Sequence, residues 1–145
     1  MNEGDEERLG RLRDEIGSQH KTLLAALRGL EAMLETSPPA QGDLARRLNA
    51  VADILEDHIA GEEAGDLFKW LPIARSSRKG EIEALRQEHP GMVAAFRQLA
   101  NETRGAPSVG IETELAVGVR SAIAKVREHE ARESAVVLAQ NDHGN

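Results

Sequence analysis

Residues 115–138 read LAVGVRSAIAKVREHEARESAVVL, and the spacing within this stretch decides the fold. Apolar side chains recur at Leu115, Val119, Ile123 or Ala122, Val126 and Val137. Steps of three and four keep them on one face of an α-helix, because a turn takes ~3.6 residues. Two slots on that seam are polar: His129 and Glu133. They stand one turn apart on the same face, with Cβ atoms ~5–6 Å apart. An imidazole and a carboxylate so placed can reach one metal ion, or the carboxylate can bridge to a second.

The same pattern extends outward. A helix over 5–35 has the seam Leu9, Leu12, Ile16, Leu23, Leu27, Leu30 and Leu34, with His20 in its one polar slot. Ser37, Pro38, Pro39 and Gly42 break it, and Asp43 is placed to cap the next helix. That second helix, 43–64, carries Leu44, Leu48, Val51 and Leu55, then His58 and Glu62 on the same seam; Gly61 or Gly65 ends it. A short segment, 66–76, follows, its helicity limited by Pro72. A third helix, 80–104, opens at Gly80 with Ile82, Leu85, His89, Phe96 and Leu99; Pro90 and Gly91 predict a kink or bulge beside His89. Gly105, Pro107 and Gly110 close it, and the fourth helix spans 111–138. Four amphipathic helices with short connections predict an all-α fold, an up-down-up-down four-helix bundle with a metal site in its core. At 145 residues the chain suits one domain, 1–145, with a polar, frayed tail from Gln140.

Composition narrows the functions. Apolar residues make up 40% and aromatics 2%, so the core rests on Leu, Ala, Val and Ile, which suits interleaved helices. A net charge of -7 argues against nucleic acid or an anionic membrane as partner. The absence of Cys excludes thiolate metal sites, iron–sulfur clusters and Cys nucleophiles. The absence of Tyr excludes a phenolate ligand or tyrosyl radical. The acidic start lacks an apolar leader and no run is long enough to span a membrane, so a cytoplasmic location is expected.

Six polar groups thus fall on apolar seams: His20; His58 and Glu62; His89; His129 and Glu133. Each pair of helices supplies two His and one Glu, the set that two like metals related by a pseudo-twofold axis require. A buried carboxylate without a partner is prohibitive in an apolar interior, and a cation supplies that partner. Nitrogen and oxygen donors without sulfur suit iron or manganese, whereas zinc more often takes four ligands in a tetrahedron. The Glu-x-x-His motif of ferritin-like bundles is absent.

This ordered set resembles the hemerythrin-like (HHE cation-binding) domains. The matching residues are His20, the stretch His58-Ile-Ala-Gly-Glu62-Glu63 running on to Leu67-Phe68, the Glu88-His89 pair, and His129-Glu-Ala-Arg-Glu133. The resemblance implies a non-haem pair of iron ions with an oxo or hydroxo bridge. Against the oxygen carriers of that family, Val93 replaces the fifth His four after His89, and the last carboxylate, Glu133, comes at spacing four with Ser134 behind it. The set looks like the subgroup of bacterial iron-centre repair and mycobacterial hemerythrin-like proteins. If Glu62 and Glu133 both bridge, each iron keeps an open position, which favours chemistry with peroxide, O2 or NO in oxidative or nitrosative stress defence over simple O2 carriage. The alternatives are an O2 or NO sensor or iron donor without turnover, and a bundle that holds no metal. Small diatomic ligands or peroxide are the expected partners.

Other polar residues are expected to be bystanders. Glu63 and Glu130 sit one residue off the seam and read as solvated, with Glu63 also a potential partner for a ligand imidazole. Glu88 and Asp57 read as surface charges, Phe68 and Trp70 as core rather than channel, and His143 as a tail residue without a role.

Overall fold

The computed structural model describes residues 2–36, 41–105 and 113–139. The expected breaks at Ser37, Pro38 and Pro39 and at Pro107 and Gly110, the expected start at Ile111, and the tail from Gln140 with His143 lie outside the described residues. The chain is all-helical, with no strand among the described residues. Among the described residues, four long helices, α1 (Glu3–Thr36), α2 (Gln41–Ala64), α5 (Lys79–Gly105) and α6 (Thr113–Leu138), are joined between α2 and α5 by two short ones, α3 (Asp66–Lys69) and α4 (Leu71–Ala74), and a 3-10 turn at Ser76–Arg78. α1 packs against α2 and α6, α2 against α5, and α5 against α6. No described helix is long and apolar enough to cross a membrane.

Local chemistry explains where the elements begin and end. α1 starts at Glu3 because the Asn2 side chain accepts the Asp5 N–H at 2.8 Å, an N-cap followed by an acidic first turn that suits the helix dipole. Asp43 proves to lie inside the first turn of α2, beside Arg46, and is not its cap. α2 runs through Gly61 and stops at Gly65, where a Cβ would come within 3.1 Å of the Gly61 carbonyl. Pro72 occupies the first turn of α4, where its missing N–H costs nothing, so segment 66–76 divides into two short helices at Trp70. Pro90 does not break α5. The residue is exposed, so the carbonyl it fails to bond can turn to water, and His89 stays buried.

Two apolar clusters fill the interior. One gathers Leu23, Leu27, Leu30, Leu44, Leu48, Leu55, Phe96, Val119, Ile123 and Val126. The other gathers Leu9, Leu12, Ile16, Leu67, Trp70, Leu71, Ile82, Leu85, Val136 and Val137. The histidines mark the switch between them. On α1 the order is Ile16, His20, Leu23; on α5 it is Leu85, His89, Met92. On the other two helices it reverses: Leu55 precedes His58 and Glu62 on α2, with Leu67 beyond, and Val126, His129, Glu133, Val136 follow in turn on α6. A polar layer therefore lies between two greasy ones. Trp70 belongs to the core as expected, and the Arg8 guanidinium, held by Asp66 at 2.8 Å, stacks 4.8 Å from its ring centre.

Phe96 is fully buried in the first cluster. Phe96→Ala is expected to destabilise the chain by about 3–5 kcal/mol in urea denaturation. The exposed Val117→Ala serves as control and is expected to stay within about 0.5 kcal/mol. Similar midpoints for the two variants would contradict this placement of the core.

Candidate metal centre

The polar layer contains all six residues expected from the seams, and one more. α1 contributes His20, α2 His58 and Glu62, α5 His89, and α6 His129, Glu130 and Glu133; every one is buried. The imidazoles pair across helices, His20 with His58 at 5.4 Å between ring centres and His89 with His129 at 5.1 Å. Donor atoms of His20, His58, Glu62, Glu130 and Glu133 lie within 4.8 Å of one another, and those of His89, His129 and Glu133 form a second such group.

The carboxylates connect the two pairs. Glu62 places Oε2 3.1 Å from His58 Nε2 and 3.7 Å from His20 Nε2, and Oε1 3.8 Å from His89 Nε2. Glu133 places Oε1 3.2 Å from His20 Nε2, and Oε2 2.9 Å from His129 Nε2 and 3.6 Å from His89 Nε2. Each carboxylate thus offers one oxygen to each histidine pair.

The outward nitrogens are held separately. His89 Nδ1–H donates to Glu63 at 2.7 Å, and His129 Nδ1–H donates to Glu88 at 2.8 Å. His20 Nδ1 lies 3.3 Å from the Ser134 hydroxyl. A proton fixed on Nδ1 leaves the Nε2 lone pair facing inward, the arrangement that orients a metal-binding imidazole. Glu63 therefore partners an imidazole, one of the two roles open to it. Glu88, expected at the surface, is instead half-buried between His129 and a two-pronged contact with Arg132 at 2.8 and 2.6 Å. Arg132 first, and His129 after it, hold the Glu88 carboxyl down at about 2. Asp57 is exposed, as expected.

Glu130 is the clearest departure. It was expected in solvent, yet it is only 3% exposed, in contact with His20 Nε2 and 3.2 Å from His58 Nε2. The sequence did carry a signal. Val126, Glu130, Glu133 and Val137 form a three–four ladder of their own beside Val126, His129, Glu133 and Val136. Both Val136 and Val137 are buried, as are both Ala122 and Ile123, so α6 buries a face wider than one seam because it packs against both α1 and α5.

The donor set fits cations. His58 Nε2, His89 Nε2, both oxygens of Glu62 and both oxygens of Glu130 are buried without a hydrogen-bond partner. Donor atoms gathered within 4.8 Å of one another, several of them without a hydrogen bond, are placed to share a cation. Leaving so many groups unsatisfied would cost ~1–3 kcal/mol apiece, and more where charge is involved.

Residues 11–140 match the model of the Hemerythrin HHE cation binding domain. The chain belongs to that family. No curated protein and no solved structure matches it. Membership in the hemerythrin HHE family implies a bound metal, and the buried His and Glu groups are where this chain can hold one.

Without metal, the same groups trade protons. Burial opposes charge on His20, but Glu130, Glu133 and Glu62 outweigh it and push the imidazole up to about 11 from the usual 6.5; His58, beside Glu130 and Glu62, rises to about 10. A value raised on folding adds stability that is full below the unfolded value and is lost as pH climbs through the folded one. The melting temperature of chelator-treated protein is therefore expected to fall between pH 7 and pH 10, and to fall less in His20→Asn. A flat or rising profile would contradict the protonated, carboxylate-paired state of these imidazoles.

Proposed function

We propose that this chain is a single-domain, non-haem di-iron protein that acts on small oxidants or nitric oxide. His20, His58, His89 and His129 serve as terminal ligands, and Glu62 and Glu133 as bridges. The observation that carries the reading is the split of each bridging carboxylate, one oxygen toward His20 and His58 and the other toward His89 and His129. One cation per histidine pair accounts for that split; a single central ion does not. The order of the two apolar clusters, which reverses from each long helix to the next, supports an up-down-up-down bundle around the pair.

Iron would supply redox chemistry toward peroxide, O2 or NO. The protein supplies the setting. Glu63 and Glu88 fix the imidazole protons away from the centre, the two apolar clusters exclude bulk water above and below, and no Tyr or Cys is present to be oxidised nearby. A surface groove of about 710 Å³ between α2 and α5, lined by Ile59, Ala60, Glu63, His89 and Val93, brings solvent space up to the His89 side of the layer.

Iron analysis after anaerobic loading is expected to find two iron ions per chain, and fewer in Glu62→Ala and Glu133→Ala. The loaded protein is expected to disproportionate hydrogen peroxide faster than the same amount of free iron, with most of that excess lost in Glu62→Ala. Two irons with stable adduct spectra but no turnover would reassign the chain as a sensor or iron donor. No iron uptake would remove the di-iron reading altogether.

A further inference from the structure

The two halves of the layer can be set against each other residue by residue. His20 corresponds to His89, His58 to His129, and Glu62 to Glu133, each by its place in the ordered set. On the same register the residue after the paired histidine is Ile59 in the first half and Glu130 in the second. The residue after the bridging carboxylate is Glu63 in the first half and Ser134 in the second. The symmetry that holds for six groups fails for these neighbours, and fails in a consistent direction.

Around His20 and His58, a third carboxylate, Glu130, enters the layer itself, while His20 Nδ1 faces only the neutral hydroxyl of Ser134. In the other half the register puts apolar Ile59, which lines the α2–α5 groove with His89, where Glu130 stands, and the negative charge lies one step back, on Glu63 and Glu88 behind the imidazoles. Both Glu130 oxygens are buried and make no hydrogen bond; Oε2 touches His20 Nε2 and lies 3.2 Å from His58 Nε2, the atoms that would share its cation, and Oε1 has no polar partner.

We propose that the two metal positions are inequivalent, with Glu130 an additional carboxylate ligand of the His20–His58 position alone. This rests on the di-iron reading above. The His20–His58 position then offers two imidazoles and three carboxylates. The His89–His129 position offers two imidazoles and two carboxylates, with imidazoles made more basic by Glu63 and Glu88. An extra anionic oxygen donor strengthens the hold on a hard cation, so the His20–His58 position fills first. The pair loads stepwise, and the more weakly held ion sits on the side that the α2–α5 groove approaches.

The test is anaerobic calorimetric titration of the metal-free chain with ferrous iron. Wild type is expected to show two steps separated by about tenfold or more in affinity. Glu130→Gln, which keeps the shape but not the charge, is expected to weaken the first step by about 10–100-fold, at least what loss of an outer partner costs a metal site, and to leave the second within a few-fold. Two steps unchanged in Glu130→Gln would overturn the assignment. Should that variant fail to fold, Mössbauer spectra of iron-57-loaded wild type decide: two quadrupole doublets of equal area support inequivalent positions, and one doublet overturns them. Wild type that binds two irons indistinguishably sinks this assignment alone. Wild type that binds none sinks the di-iron reading and the assignment with it.

Discussion

Three carboxylates and four imidazoles share one buried layer; Glu133 pairs with His20 and His129, while Glu62, Glu130, His58 Nε2 and His89 Nε2 are left without a hydrogen bond. The rest of the molecule is arranged around that constraint. α1, α5 and α6 each bury apolar side chains on both sides of the layer, and α2 does so on one side with Leu67 of α3 on the other, so the unsatisfied groups cannot escape to water without dismantling one cluster or the other. The outer hydrogen bonds from His89 to Glu63 and from His129 to Glu88 use the nitrogens that face away and leave both Nε2 atoms turned to the carboxylates of the layer. A layer of this kind is a liability in an empty protein and a binding site in a loaded one, because ligand binding and folding then draw on the same free energy.

Much of this was legible in the residue spacing. Three–four steps of Leu, Ile and Val located the long helices, and the polar interruptions of those steps located six of the seven buried donors. What spacing could not resolve was the width of the buried face. A single seam per helix assigns Glu130 to solvent, but α6 packs on two long neighbours, and a residue 100° around from His129 still faces one of them. Glu88 stays partly exposed, but its pairing is not legible in the sequence. Its partners, His129 and Arg132, lie on another helix more than 40 residues away, and nothing in the local sequence announces that pairing.

Local turn chemistry gave mixed guidance. Gly65 ends α2 where a side chain would strike a carbonyl, and Pro72 begins a helix, both in keeping with their ordinary preferences. Pro90 does not interrupt α5, because the position is exposed and the packing of Leu85, His89 and Phe96 on the opposite face outweighs one missing hydrogen bond. Tertiary contact overrode propensity there, and it did so next to a candidate ligand. The near-symmetry of the halves also proved partial, since Ile59 and Glu130 occupy like positions with opposite chemistry.

The central claim is that cations, one per histidine pair, hold this layer together. The most direct measurement is an anomalous difference map at the iron edge from crystals of the iron-loaded chain. The account predicts two peaks inside the bundle, one between His20 and His58 and one between His89 and His129, with Glu62 and Glu133 reaching both. A layer without peaks, or iron found only on surface carboxylates, would contradict it.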